Sequence, residues 1–194
     1  MPEYKIFLGS LATVIAVAAY IPYFADIFRG RTKPHAFSWL VWGVITAIGF
    51  AAQFSEKGGA GTWVTGFSAL VCFAIFSLAL AKGDRRFVFF DWANLFGAGA
   101  AIFLWWFTGG PLLSVLLVIL IDILGFLPTY RKAFFKPHEE TAITFALNSL
   151  KFAVSIPALG AFTLVTLLYP SYLVLSNGLF VLFLLLRRRQ LGLG

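Results

Sequence analysis

Long apolar stretches separated by short polar connections dominate the sequence. A helix that crosses a bilayer needs roughly 20 apolar residues. Seven stretches reach about this length, at residues 6–28, 36–54, 62–81, 88–107, 112–134, 141–166 and 168–186. The connections between them are too short to contain a soluble domain. The pattern therefore predicts an all-α membrane protein with seven transmembrane helices, and it argues against an enzyme, whose chemistry would have to take place inside the helix bundle.

Two segments about 105 residues apart resemble each other. Residues 20–23 (Tyr-Ile-Pro-Tyr) lead through a basic turn to Pro34 and His35, and residues 126–129 (Phe-Leu-Pro-Thr) lead through a similar turn to Pro137 and His138. Each segment lies at the same place in a set of three spans, toward the end of its first span, and one further span separates the two sets. Because three is odd, a second set that followed directly would be inverted, and the single helix restores the orientation. We therefore predict three segments: a repeat at 1–83, an inverting helix at 84–110 and a second repeat at 111–194.

Composition supports the membrane assignment. The chain is 60% hydrophobic and 12% charged, with a mean hydropathy of +0.90, which is far more apolar than a soluble domain. Its single cysteine, Cys72, excludes an internal disulfide. The sequence shows no cysteine or carboxylate spacing typical of a metal site and no Gly-rich phosphate-binding motif. It predicts neither a metal nor another cofactor.

The net charge of +7 follows the predicted topology. Twelve Lys and Arg residues fall in alternate connections and at the C-terminus, at positions 29, 31, 33, 82, 85, 86, 131, 132, 136, 187, 188 and 189. Only Lys5 and Lys57 lie on the other side, and Lys151 lies within a span. Basic residues concentrate on the cytoplasmic side of membrane proteins. We therefore predict a multi-pass cell-membrane protein with its N-terminus outside and its C-terminus in the cytoplasm, whose basic residues meet lipid headgroups rather than nucleic acid.

These features resemble the PQ-loop, or MtN3/SWEET, superfamily of seven-helix membrane transporters. The resemblance rests on Pro22 with its basic turn to Pro34, on the Ser38-Trp39 entry to the next helix, and on the second copy around Pro128 and Pro137. It covers nearly the whole chain and implies a 3+1+3 fold of two parallel triple-helix bundles. Pro22 is followed by Tyr and Pro128 by Thr, so neither copy has the Pro-Gln pair that names the broader group.

The resemblance also implies roles for particular residues. SWEET-like proteins bind substrate through asparagines on the third helix of each triplet and rock about prolines in the first two helices. Asn177 matches such an asparagine, whereas its counterpart in the first half is Ala74. Three of the four hinge prolines are matched, by Pro22, Pro128 and Pro157.

A polar cluster is predicted near the bilayer centre. Counting at 1.5 Å per residue places Asp122 and Lys151 at a common depth of roughly 16–18 Å. Asn148 lies three residues before Lys151 on one helix face, and Asn177 reaches a similar level. Charges at this depth are costly and normally pair. We predict an Asp122–Lys151 pair within a substrate site that also contains Asn148, Asn177 and, one turn inside its span, Trp42; a purely structural ion pair is the alternative.

The duplicated bundle, matched prolines and polar midplane are the parts that alternating access requires. The first functional hypothesis is therefore a transporter for a small polar metabolite such as a sugar, and an ionised Asp122–Lys151 pair would favour a uniporter. The second is a receptor of the same fold that binds a small molecule or peptide without transport. A retinal protein is a third hypothesis, but the last span has no lysine before Arg187. The sequence leaves open whether the chain forms a homo-oligomer.

Overall fold

The computed structural model describes residues 2–30, 34, 36–83, 89–135, 137 and 140–192. Within this part the chain is helical, and its seven α-helices are α1 (Glu3–Phe28), α2 (Ala36–Ser55), α3 (Trp63–Lys82), α4 (Phe89–Thr108), α5 (Leu112–Phe135), α6 (Ala142–Ser155) and α7 (Leu164–Gln190). Inside the helices, the side chains of six residues are not described: Phe90, Asp91, Asn94, Pro128, Arg131 and Lys132. The all-α prediction is confirmed.

Within the described residues, four helical segments are long and apolar enough to cross a membrane: Glu3–Phe28, Ala36–Ser55, Gly59–Lys82 and Leu164–Gln190. The described apolar stretches of α4, of α5 and of α6 with the turn that follows it are Leu95–Thr108, Leu112–Leu127 and Ala142–Ala158; the first two are bounded by positions whose side chains are not described. By length and composition this is an integral membrane protein.

The predicted boundaries agree closely with the helices except around the sixth span. That span was predicted to run through residues 141–166, but α6 ends at Ser155 and is followed by one 3-10 turn, Ile156–Ala158. Pro157 lies in this turn and not inside a long helix, because proline has no N–H to donate to the preceding turn. Thr163 then caps α7, where its hydroxyl accepts a hydrogen bond from the Thr166 N–H. The last helix consequently starts at Leu164, earlier than predicted.

We call α1–α3 the first triplet and α5–α7 the second triplet. In the first triplet α3 packs against both α1 and α2, and the rings of Tyr23 on α1 and Trp39 on α2 meet at 5.1 Å between centroids. In the second triplet α7 packs against both α5 and α6, and Phe126 on α5 meets Phe145 on α6 at 6.2 Å. Between the triplets, α1 packs on α6 and α2 on α5, while α4 packs on α5 and α2.

Contacts between side chains fix the directions of the helices. Lys5 on α1 reaches Leu159 beyond the end of α6, whereas Tyr20 reaches Lys151 in the middle of α6, so α1 and α6 are antiparallel. On α5 and α7 the pairs Asp122–Tyr172 and Tyr130–Phe183 advance together along both helices, which are therefore parallel.

The two ends of the bundle differ in charge. At one end, which we call the basic end, Lys82 lies over the ring of Phe28, and Arg188 donates hydrogen bonds to the carbonyls of Pro137 and Glu140. At the other end, which we call the Lys5 end, Lys5 bonds to Leu159 and the Gly160 N–H bonds to the Gly58 carbonyl.

Candidate functional site

Lys151 lies at the junction of the two triplets. Its side chain is 1% exposed, and its ammonium group donates hydrogen bonds to the Tyr20 hydroxyl at 3.2 Å and the Ser68 hydroxyl at 2.9 Å. The same nitrogen lies 4.5 Å from the centroid of the Tyr20 ring and 4.9 Å from that of Phe152. The Ser68 hydroxyl itself donates a hydrogen bond to the Val64 carbonyl. A cation on α6 is thus bound by neutral groups of α1 and α3.

Asp122 is also buried, with 4% of its surface exposed. Its Oδ2 accepts a hydrogen bond of 2.6 Å from the Tyr172 hydroxyl. This short distance is typical of a hydroxyl that donates to a carboxylate. The bond connects α5 to α7 within the second triplet, so Asp122 faces the bundle interior as predicted.

The predicted ion pair between Asp122 and Lys151 is not formed. The described contacts of Asp122 go to α7 and those of Lys151 go to α1 and α3. Both residues are buried, but the predicted pair also required that helices consecutive in sequence be adjacent in space. Because α7 packs between α5 and α6, the two charges point to different partners.

The two predicted asparagines lie near this level. Asn177 is buried and its side-chain amide donates to the Leu173 carbonyl of its own helix at 2.8 Å. Asn148 precedes Ser149, whose hydroxyl donates a hydrogen bond to the Val174 carbonyl. Asn148 therefore lies opposite the turn of α7 that contains Leu173 and Val174. The buried Oδ1 of Asn148 has no hydrogen-bond partner among the described residues. An unsatisfied buried acceptor is unusual and calls for an explanation.

Trp42 lies on the basic-end side of these polar groups. It is half-buried, and its ring is 5.3 Å from Trp39 and 6.3 Å from Phe126 between centroids. Phe126 in turn packs on Phe180, in a cluster of aromatic side chains from the second triplet. At this level the two triplets therefore meet through aromatic rings.

Toward the Lys5 end the triplets meet through hydrogen bonds. The Lys5 ammonium donates to the Leu159 carbonyl at 2.6 Å and lies 5.2 Å from the Phe162 ring. The fully buried Gln53 donates to the Thr166 carbonyl at 3.1 Å, and Thr46 shares a hydrogen bond of 3.1 Å with Tyr169. The polar groups therefore lie between a hydrogen-bonded contact and an aromatic contact.

Several residues of this arrangement were missed by the sequence analysis. Tyr20 belongs to the duplicated segment that was recognised, but its ring was not assigned a role. Ser68 and Cys72 lie one turn apart on a helix rich in small residues, which is a weak signal of an inward face. Tyr172 carries no sequence signal at all, because a tyrosine in the last span is equally compatible with an interface position.

The hinge prolines have different surroundings. Pro22 lies inside α1, which continues on both sides of it. Helix α5 also continues through Pro128, whose side chain is outside the described set. Pro157 occupies the turn after α6, and Pro170, which was not singled out, lies inside α7. Their roles as hinges stay predictions.

The Asp122–Tyr172 contact allows a stability prediction. Replacing Tyr172 with phenylalanine removes the described hydrogen bond to a buried carboxylate, which is worth about 1.5–3 kcal/mol for a charged group. We expect Tyr172→Phe to lower the unfolding midpoint of the detergent-solubilised protein, and to do so less in an Asp122→Asn background. A double-mutant cycle of thermal midpoints measures the coupling. Strictly additive effects of the two substitutions would contradict the contact.

Comparison with known proteins adds no family to this picture. No protein-family profile, curated protein or solved structure matches the chain significantly.

Among the described residues, no three His, Cys, Asp or Glu side chains are grouped as metal ligands, and His35 and His138 lie outside that part of the chain.

Proposed function

We propose that the chain is a membrane transporter that moves a small polar metabolite by alternating access between two three-helix repeats. In this proposal the first and second triplets are the moving halves and α4 is the inverting linker, as in the SWEET-like fold. The observation that carries it is the position of Lys151. A buried cation of the second triplet is bound by Tyr20 and Ser68 of the first, where the two halves would separate.

The packing order supports two equivalent halves. In each triplet the third helix packs between the first and the second. The contacts between triplets are also reciprocal, since α1 packs on α6 and α2 on α5, which pairs the first helix of each triplet with the second helix of the other. The helix directions agree with two triplets of like orientation. Helix α1 runs antiparallel to α6, and α6 runs antiparallel to α7, as the pairs Phe145–Phe180 and Ser149–Val174 show. Because α5 runs parallel to α7, α1 and α5 point the same way. Parallel repeats place substrate between the halves near the midplane.

The contacts on the two sides of the polar groups support alternating access. At the Lys5 end the halves join through Lys5, Gln53 and the Gly58–Gly160 backbone pair. Toward the basic end they join through Trp42 and Phe126. Either set of contacts could separate while the other holds, which is the requirement for exposing a central site to one side at a time.

The orientation of the chain across the membrane is part of the same proposal. The basic end carries the residues that the positive-inside rule assigns to the cytoplasm, so the Lys5 end would face outward. A uniporter is no longer favoured, because the Asp122–Lys151 ion pair on which that expectation depended is not formed.

Flux measurement in proteoliposomes tests the proposal. A thermal-shift screen of small metabolites first selects ligands, since a ligand that binds the folded state stabilises it. We expect radiolabelled forms of the selected ligands to enter proteoliposomes saturably and to exchange with unlabelled ligand inside. The double variant Asp122→Asn/Lys151→Met should lose at least tenfold in uptake. A matched surface variant, Glu3→Gln/Lys82→Met, should keep it.

One result would count against transport and another against the assigned site. Saturable binding without flux would favour the receptor hypothesis. Full uptake by the folded Asp122→Asn/Lys151→Met protein would show that these residues are not in the substrate site.

A further inference from the structure

The ammonium group of Lys151 has no carboxylate partner among the described residues. Within the described residues its contacts are two hydroxyl oxygens and two aromatic rings. Asp122, a buried carboxylate among the described residues, accepts its hydrogen bond from Tyr172 instead. Charged groups inside a membrane protein normally pair with one another or mark the path of a substrate. Because Lys151 has no charged partner among the described residues, we interpret it as marking the path of a substrate.

The hydrogen-bonding capacity of Lys151 is also incompletely used. An ammonium group has three donors, and two of them point to the hydroxyls of Tyr20 and Ser68. Hydroxyl groups can turn and donate as well as accept. A carboxylate at this point would therefore receive hydrogen bonds from the lysine and from the Tyr20 hydroxyl. It would also receive one from Ser68 once that hydroxyl turns away from the Val64 carbonyl, to which it donates in the structure.

We propose that Lys151, Tyr20 and Ser68 bind a carboxylate group of the transported molecule, so that the substrate is a small organic acid and not a neutral sugar. This inference rests on the proposed transport function and specifies its substrate class. One carboxylate balances the single positive charge. A dianion such as a phosphate monoester would carry excess negative charge toward the level of Asp122. A neutral sugar would leave the lysine uncompensated.

The position of the three groups gives the carboxylate a part in the transport cycle. Lys151 belongs to the second triplet, whereas Tyr20 and Ser68 belong to the first. Separation of the triplets removes the two hydroxyls from the ammonium group. A bound carboxylate would replace them, and an empty carrier would instead expose a bare cation. The loaded protein should therefore open more readily than the empty one.

Matched pairs of acids and neutral analogues test this inference. The probes are lactate against lactamide and glucuronate against glucose, titrated against the thermal midpoint of the purified full-length protein in detergent. We expect at least one acid to stabilise the protein saturably and its neutral partner to have at least tenfold weaker affinity. Lys151→Met should weaken binding of that acid at least tenfold. Equal affinity for both members of each pair, or no stabilisation by either acid, would overturn the inference.

A second buried lysine provides the control. Lys5 is 9% exposed and donates to the Leu159 carbonyl at the Lys5 end. Lys5→Met should alter stability and should change acid affinity by much less than the tenfold loss expected for Lys151→Met, because it removes a buried cation that lies outside the proposed carboxylate site. If Lys151→Met does not fold, Ser68→Ala and Tyr20→Phe replace it, and each should weaken acid binding several-fold. Unchanged acid affinity in the folded variants would contradict the assignment.

Flux measurements distinguish a failure of the carboxylate site from a failure of the transport proposal. Acid binding that depends on Lys151 but produces no uptake in proteoliposomes would preserve the carboxylate site and overturn transport. Uptake of glucose without any effect of lactate or glucuronate would preserve transport and overturn the carboxylate site.

Discussion

Gly61→Ala is expected to destabilise the protein by about 2–3 kcal/mol, the upper part of the range for overpacked interiors. A Cβ at this position would lie 2.6 Å from the Ser155 carbonyl oxygen and 2.7 Å from the Leu159 nitrogen. Both are backbone atoms of the other triplet, so no side chain can move to relieve the clash. For a chain of this size the thermal midpoint should fall by roughly 5–10 °C.

Gly99→Ala is the matched control for that substitution. Gly99 lies inside α4, and a Cβ added there would meet no heavy atom within 4 Å. Alanine also has the higher helix propensity, by about 1 kcal/mol. The control should therefore be neutral or slightly stabilising. A Gly61→Ala protein as stable as Gly99→Ala would show that the triplets are not in close contact at the Lys5 end.

Hydropathy was sufficient to locate most of the helices. Apolar runs of bilayer length are forced to be helical because backbone groups in lipid must bond within their own segment. The predicted end of the sixth helix was wrong for a local reason. The stretch 141–166 remains apolar throughout, so its hydropathy does not register the turn at Pro157. The missing proline N–H and the Thr163 cap end one helix and start the next without a polar break.

The burial of the two charged side chains was predictable from the sequence, but their partners were not. Asp122 and Lys151 are both buried, as the cost of charge in lipid requires. Which neighbour each one meets depends on the order in which the helices pack. Because α7 lies between α5 and α6, Asp122 meets Tyr172 and Lys151 meets the first triplet. Nothing in one sequence shows this order.

The contacts at the Lys5 end were also not predictable, because they too depend on the order in which the helices pack. From the sequence, Lys5 is assigned only to the side of the membrane with few basic residues. In the structure it is a buried donor to Leu159, a contact that exists only because α1 packs along α6. The structure thus changes Lys5 from a topological marker to part of the junction between the triplets.

Gly49 and Tyr169 form a second close contact between the triplets, from α2 to α7. Tyr169 is 1% exposed, and a Cβ on Gly49 would lie 2.6 Å from its ring. The buried ring has little room to move, so Gly49→Ala should destabilise the protein by about 1–3 kcal/mol. Tyr169→Leu alone should also destabilise it, because it leaves a cavity and removes the hydrogen bond to Thr46.

Together the two substitutions should compensate each other. The alanine methyl group would occupy space that the shorter leucine vacates, so the double variant should be more stable than the sum of the single effects by at least about 1 kcal/mol. Gly178→Ala is the control, since its Cβ would meet only the Ser149 hydroxyl at an ordinary 3.4 Å, and it should combine additively with Tyr169→Leu. Thermal midpoints of the purified variants measure both cycles. Additivity in the Gly49 cycle would mean that α2 and α7 are farther apart in the membrane, and the hydrogen bonds of Gln53 and Thr46 across the same surface would then have to break as well.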